Sequence, residues 1–218
     1  MVRIKLFLEG QTEEDFVKQV LNPIFSPQGI YFFPILAGIS AKQRGGIVSY
    51  DKTKRELVRL CKQDKKAKVS TLIDYYGLPN EFPGIDDLKG KTIGNENLHK
   101  TIEELERKLE ADIDQPNFIA NYMIHEFEAL LFCQPEKFSD CFGDDGNLEL
   151  LLKAKNEFPT PEHINNSRIT APSKRILSVI PNYKKRLHGP RIAKAIGLDT
   201  MRQQCLHFHQ WLEKIEAL

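Results

Sequence analysis

The sequence predicts an α/β fold, a mainly parallel sheet flanked by helices and followed by a helical C-terminal extension. Three observations carry that expectation. Apolar segments of strand length alternate with amphipathic ones over residues 1–135, the pattern of a parallel sheet covered on both faces. The run Val69-Ser-Thr-Leu-Ile-Asp74 is β-rich and largely apolar, as in a buried parallel strand. Beyond Pro135 the pattern is only helical, in short pieces broken by Pro159, Pro161, Pro172, Pro181 and Pro190. The expected organisation is an α/β core over residues 1–135 and a helical extension over 136–218, packed on the core as one structural unit.

Each element follows from local pattern. Val2 to Leu8 alternates Arg3 and Lys5 with Ile4, Leu6 and Leu8, and ends in Glu9-Gly10, which reads as a strand and a turn. Thr12 can cap a helix with Glu13, Glu14 and Asp15 in its first turn. Phe16, Val17, Val20, Leu21 and Ile24 would form the buried face of that helix, and Pro27-Gln-Gly29 would end it. A second strand is expected over Ile30 to Leu36, then a Gly/Ser/Lys loop, then a helix from about Ser49 to Gln63 with Leu57, Leu60 and Cys61 inward. Residues Asn80 to Asn97 carry Pro, Gly and Asp with no period and read as a long loop. Leu98, Ile102, Leu105 and Leu109 recur at helical spacing. Asn117 to Ile124 reads as a strand running directly into a helix at His125 to Phe132.

Composition narrows the function classes. The chain has 218 residues, with 31 basic and 30 acidic side chains and a formal net charge of +1. Near-neutrality excludes a protein that grips nucleic acid with its whole surface, so any basic site is local. The longest apolar run, Ile30 to Ile39, is interrupted by Pro34 and Gly38 and falls short of the roughly 20 residues of a spanning helix. The N-terminus lacks the charged, apolar and small-residue zones of a signal peptide, so a cytoplasmic protein without membrane contact is expected. Cys61, Cys133, Cys141 and Cys205 are scattered without a C-x-x-C pair, which predicts reduced, mostly buried thiols.

In open α/β sheets ligands bind beyond the carboxyl ends of the strands. Three predicted strands end there in acids: Glu9, then Asp74, then Glu126 and Glu128. Converging carboxylates bind hard divalent cations. Each also has a plainer reading: Glu13 as a favourable first-turn charge, His125 as a core or capping residue, and Gly10, Gly45 and Gly46 as ordinary turn glycines. On a helix, His125 and Glu128 would share a face and Glu126 would point elsewhere. The segment is not H-E-x-x-H, because the second histidine is missing, and neither G-x-x-x-x-G-K-[ST] nor G-x-G-x-x-G occurs. The chain is therefore not itself a P-loop ATPase or a dinucleotide enzyme.

Glu9-Gly-Gln-Thr-Glu13 after the first strand, with Asp74-Tyr-Tyr-Gly77 after a later one, resembles the Toprim domain shared by topoisomerases, primases and overcoming-lysogenization-defect nucleases. Over nearly the whole chain, those motifs with Gly45-Gly46, His125-Glu-Phe-Glu-Ala-Leu130 and Thr170-Ala-Pro-Ser-Lys-Arg175 resemble the bacterial domain-of-unknown-function 4276 family. The Toprim resemblance implies a Rossmann-like sheet and a site in which Glu9 is a metal ligand or general base and Asp74 a metal ligand. It also implies that Glu13, four residues after Glu9, contributes as in the nuclease branch. The usual D-x-D is broken, because Tyr76 stands at the second acid position. A full two-metal site then needs Glu128, Asp86 or Asp87 as replacement. The activity implied is that of a Mg²⁺- or Mn²⁺-dependent nuclease or phosphodiesterase, with Glu9, Glu13, Asp74 and Glu128 as metal ligands and Lys174 as an electrostatic helper. A separate ATPase partner and a role in antiphage defence are further implications of the resemblance.

Charge distribution points the same way. Residues 1–162 carry 21 basic and 27 acidic side chains, whereas 163–198 carry 8 basic and none acidic, Arg168 among them. Arg175, Lys184, Lys185, Arg186 and Arg191 are the candidate nucleic-acid contacts, DNA or RNA, with Tyr183 placed to stack a base. The plainer reading is a set of solvated helix faces, or pairing with acids elsewhere. Cys205-Leu-His207-Phe-His209 puts neighbours on different helix faces and reads as structural, with Trp211, Leu212 and Ile215 anchoring the last helix. Two rivals remain: a non-catalytic nucleic-acid or protein-binding module on a decayed scaffold, and phosphotransfer or phosphatase chemistry on a small substrate.

Overall fold

The alternation Ile4-Leu6-Leu8 against Lys5-Phe7 sends successive side chains to opposite faces of the first strand, and both faces are covered. The computed structural model describes residues 1–38, 47, 49–88, 93–143, 147–164 and 170–218. Gly45, Gly46 and Arg168 lie outside the described residues. Strands β1 (Val2–Leu8), β2 (Ile30–Leu36), β3 (Lys68–Asp74), β4 (Phe118–Ile119) and β5 (Tyr122–Met123) form a parallel sheet in the order β2-β1-β3-β4, with β5 also paired to β3. The predicted strand over Asn117 to Ile124 is thus two short strands. The cause is visible at Thr71, whose hydroxyl donates to the Asn121 carbonyl and accepts from the Asn121 N–H, replacing ladder bonds between them.

The helices are α1 (Gln11–Phe16), α2 (Asn22–Phe25), α3 (Tyr50–Gln63), α4 (Leu98–Ile113), α5 (Ser139–Phe142), α6 (Asn147–Asn156), α7 (Pro172–Val179), α8 (Lys185–Ile196), α9 (Leu198–Gln204) and α10 (Leu206–Glu216). The α3 and α4 helices cover one face, where Phe7, Val69 and Ile73 pack with Leu57, Leu60, Ile102 and Leu105. On the other face Ile4, Leu6, Leu8 and Leu72 meet Phe16, Val17, Ile192, Phe208 and Trp211. The Trp211 indole N–H donates to buried Ser70 Oγ on β3 at 3.1 Å. Residues on both sides of Pro135 therefore share one core.

Local details depart from the sequence reading. Gly10, not Thr12, sits at the N-cap, and α1 begins at Gln11. Between α1 and α2 the chain makes a π turn, Val17–Leu21, whose extra residue advances the helix phase by one position. Phe25 is consequently fully buried and Ile24 is 40% exposed, the reverse of the 3.6-residue expectation. Pro190 lies inside α8 rather than ending it; Gly189 before it has no side chain to clash with the proline ring. Within Asn80 to Asn97 the described residues include single helical turns at Asp86–Leu88 and Asn95–Asn97.

The sheet edge at β2 is closed by a side chain. Asn22 donates through Nδ2 to the Phe32 carbonyl and accepts the Phe32 N–H at Oδ1, both at 2.9 Å, and Pro34 removes another edge donor. Asn22→Ala leaves that backbone pair without its partner and is expected to cost about 1–2 kcal/mol; urea unfolding measures it, and an unchanged midpoint would contradict the role.

Candidate functional site

Glu9 follows β1 directly and Asp74 ends β3. The register Leu8↔Leu72 places them side by side, with the Asp74 N–H donating to Glu9 Oε2 at 3.3 Å. Glu13, one turn into α1, folds back over Gly10, where a Cβ would meet its Oε2 at 3.0 Å. Gly10 thus provides room for the carboxylate, and the Gly10 N–H favours its charge. Glu13 is a first-turn acid of α1 that also faces the other carboxylates.

The third acidic element is built differently from the expected helix. His125 has φ of 68°, a left-handed conformation that costs a non-glycine residue about 1–2 kcal/mol. Its carbonyl accepts the Tyr76 N–H at 3.1 Å. Past this corner Phe127–Cys133 forms a fully buried 3₁₀ segment, and Asp74 Oδ1 accepts the Phe127 N–H at 3.1 Å. A run whose one charged residue, Glu128, is itself buried, started by a left-handed residue and held by a carboxylate, does not continue as an amphipathic helix. The corner turns Glu126 inward as well as Glu128. Glu126 Oε2 accepts the Ser173 N–H in the first turn of α7 at 2.9 Å. Sequence reasoning noted Glu126 as a strand-end acid but pointed it elsewhere on helical geometry that the chain does not adopt.

Five carboxylates therefore act on one another. Burial, then Glu13, Glu9, Glu128 and Glu126, push the Asp74 carboxyl well above the ordinary range. Burial raises Glu9, opposed by the Asp74 N–H. Burial brings Glu13 to about 6. It brings Glu128, only 1% exposed, to about 7, with Lys185 opposing and Glu126 and Glu13 adding to the rise. Glu128 Oε1 and the Tyr183 hydroxyl are both buried and meet no other partner among the described residues; Tyr183 lies against Glu128, and burial together with the Glu128 charge and hydrogen bonding pushes its phenol well above the ordinary range. Like charges gathered in a poorly solvated place favour the protonated forms of Glu9, Glu13, Asp74 and Glu128.

Among the described residues one cation enters this group. Lys185 Nζ lies 3.2 Å from Glu128 Oε2 and 4.0 Å from Glu126 Oε1. It arrives there because α8 crosses α1 at Gly189, where a Cβ would stand 3.1 Å from the Tyr183 hydroxyl and 3.4 Å from Thr12 Cγ2. The other basic candidates lie elsewhere. Lys174 is exposed and makes no ion pair among the described residues. Arg175 donates to the Thr170 carbonyl and lies over the Phe158 ring. Arg186 pairs with Asp15 at 3.0 Å and Gln11 at 2.8 Å. Lys184, the N-cap of α8, and Arg191 within it are exposed. Tyr183 is buried and so cannot stack a base, contrary to expectation. Of the possible replacement acids, Asp87 pairs with Lys108 at 2.8 Å, and neither it nor Asp86 is among the charges acting on Asp74. Tyr76 is half-buried beside the site.

His99 and His207 belong to a separate, structural network. Glu162 accepts the His207 and Phe208 N–H groups at the start of α10 and pairs with His99 at 3.0 Å. His207 pairs with Glu106 at 2.9 Å, in keeping with the structural reading of the His207 segment.

No helix among the described residues is long and apolar enough to cross a membrane. No curated protein matches the chain. Among solved structures the chain is similar to the C-terminal region of the Xanthomonas campestris pv. campestris OLD protein, with TM-score 0.50, 16% identity, and 99% of this chain and 94% of that one covered. It is also similar to the C-terminal region of the Burkholderia pseudomallei OLD protein, at TM-score 0.48 and 16% identity over 99% and 97% of the two chains. At such identity the first of these establishes the fold, an α/β sheet with C-terminal helices, and no more. The sequence pattern of the domain of unknown function DUF4276 matches residues 8–216, and the chain belongs to that family.

Proposed function

We propose that the chain is a divalent-metal-dependent phosphodiesterase acting on nucleic acid, with Glu9, Glu13, Asp74, Glu126 and Glu128 as its carboxylate site. The observation that carries this reading is their convergence at the carboxyl ends of β1, β3 and β5, where four other carboxylates act on Asp74. Among the described residues no group of three His, Cys, Asp or Glu stands ready-made around one metal position. The donor chemistry fits a hard cation nonetheless: oxygen only, mutually repelling, and incompletely neutralised by Lys185.

Mg²⁺ or Mn²⁺ bound there would supply charge neutralisation at the phosphate and a more acidic water. The protein's own groups do the rest. The Phe127 and Ser173 N–H groups orient Asp74 and Glu126. Glu9, raised in pKa and only partly buried, is placed to take a proton from an attacking water. Lys185 puts a fixed positive charge beside Glu128, where negative charge develops in phosphodiester cleavage. It fits the helper role more closely than exposed Lys174. With α/β core 1–135 and extension 136–218, the extension contributes that cation and the basic face of α8. Without a nucleotide-binding loop, energy coupling would come from a separate ATPase, in a setting such as antiphage defence.

Lys184, just before α8, and Arg191 on it are the cations best placed for phosphate contact, being exposed and without ion pairs among the described residues. Lys184→Glu with Arg191→Glu is expected to weaken oligonucleotide binding about tenfold or more at low salt and to flatten its salt dependence by about two phosphate contacts. Fluorescence anisotropy across a salt series reads this. A small-molecule phosphatase would be indifferent. The competing reading, a binding module without catalysis, draws on Tyr76 at the second acid position. Calorimetry separates the two: nucleic-acid affinity that survives Asp74→Ala with no Mn²⁺ heat favours the module.

A further inference from the structure

Away from the carboxylates, a cavity of about 310 Å³ is lined by Lys155, Thr160, Gln203 and Gln204 among others. Two of those side chains converge on one atom: Lys155 Nζ and Gln204 Nε2 each donate to the Cys133 carbonyl at 2.8 Å. The residue after Gln204 is Cys205, in the extended break between α9 and α10. Its Sγ lies 3.4 Å from Cys133 Sγ, and both residues are free thiols with at most 1% exposure. The Gln204 bond thus holds the two backbones together one residue from the sulfur contact. A disulfide needs about 2.05 Å between sulfurs, so closure asks for a shift of about 1.4 Å, within the reach of small χ1 adjustments.

We propose that Cys133 and Cys205 are a built thiol pair that a small hydroperoxide oxidises to a reversible disulfide. In the first step one thiol loses its proton and its sulfur attacks the hydroperoxide. The O–O bond breaks, giving a sulfenic acid and, from hydrogen peroxide, one water. In the second step the other thiol's sulfur attacks the sulfenic sulfur, the S–S bond forms and a second water leaves. Two thiols and one hydrogen peroxide become one disulfide and two waters. The bond would span residues 72 apart and fasten the segment that carries Glu128 to the α9–α10 junction. Burial and the neighbouring Cys133 thiol push the Cys205 thiol up, with the Lys155 ammonium opposing, so the oxidation is slow. The pair does not depend on the carboxylate site having any particular function.

The full chain, reduced and freed of reductant, is treated with hydrogen peroxide over hours, quenched, unfolded, and alkylated. The expected result is an intact mass lower by two hydrogens before alkylation, and two labels after it, on Cys61 and Cys141. A non-reducing digest then joins the Cys133 and Cys205 peptides, and dithiothreitol reverses both changes. Cys61→Ala should retain the cross-link and Cys205→Ala should lose it. If Cys205→Ala does not fold, the wild-type digest decides alone. Full alkylation of all four cysteines after treatment, irreversible oxidation to sulfinic acid without a cross-link, or a cross-link through Cys141 would each overturn the proposal.

Discussion

Asp74→Asn is expected to reduce Mn²⁺-dependent cleavage of oligonucleotides by at least about 10²–10³-fold, the scale lost when one charge-stabilising group is removed from a reacting site. The substitution is chosen because it isolates charge from structure. Asparagine keeps an oxygen able to accept the Phe127 N–H, now at 3.1 Å, and leaves the backbone N–H free to donate to Glu9. Asp74 also feels four other carboxylates, so removing its charge relieves repulsion and should leave the metal-free fold as stable as before or more so. Activity lost with stability kept assigns Asp74 to the chemistry. Glu9→Gln should behave alike, and cleavage at full rate in either variant would remove the proposed site. Single-stranded DNA, duplex DNA and transfer RNA, each with Mg²⁺ and with Mn²⁺, form the substrate panel; cleavage of none of them would do the same.

The second large effect concerns stability without metal. Glu128 has a folded pKa of about 7 and Glu13 of about 6, against an ordinary 4.5. A carboxyl raised in the folded state binds more protons there than when unfolded. Its contribution is therefore fully present below about pH 4.5 and is lost as pH rises through the folded value. For Glu128 the loss by pH 8 is on the order of 3 kcal/mol. The wild-type curve alone does not isolate this, because His125, held neutral by burial to about 4, runs the other way. Its depressed pKa costs stability as pH falls below the ordinary value near 6.5. The difference between Glu128→Gln and wild type removes the histidine contribution. Glutamine mimics the protonated acid, so Glu128→Gln should stabilise the metal-free protein by about that amount at pH 8 and by almost nothing near pH 4.5. Mn²⁺ should raise the melting temperature of the wild type more than that of the variant. A stability gap that does not change with pH would show that Glu128 is held ionised in the folded state, satisfied by Lys185 alone.

Much of the fold was legible because its signals are local. The period of two in β1, the apolar run ending at Asp74, and the helical spacing of Leu98, Ile102, Leu105 and Leu109 each report burial within one element. Glu9 and Asp74 could be aligned from sequence because strand ends in a parallel sheet share an edge. The misses share a cause too. The phase slip that buries Phe25 and exposes Ile24 comes from a π turn, which leaves no mark in composition. The inward turn of Glu126 depends on a left-handed histidine, a conformation that only a few per cent of non-glycine residues adopt.

The sequence by itself determined the fold class, the family and the strand-end acids, since side-chain alternation and short motifs are properties of contiguous residues. Only the tertiary structure decided which charges meet. Lys184, Lys185 and Arg186 are equivalent as letters. The close approach of α8 to α1 at Gly189 sets the helix rotation that sends Lys185 to Glu128, Arg186 to Asp15 and Lys184 to solvent. The thiol pair has the same origin: Cys133 and Cys205, 72 residues apart, touch because two elements pack there. Long-range contacts depend on the packing angle and depth of whole elements, and these are summed over many side chains rather than written at any one position.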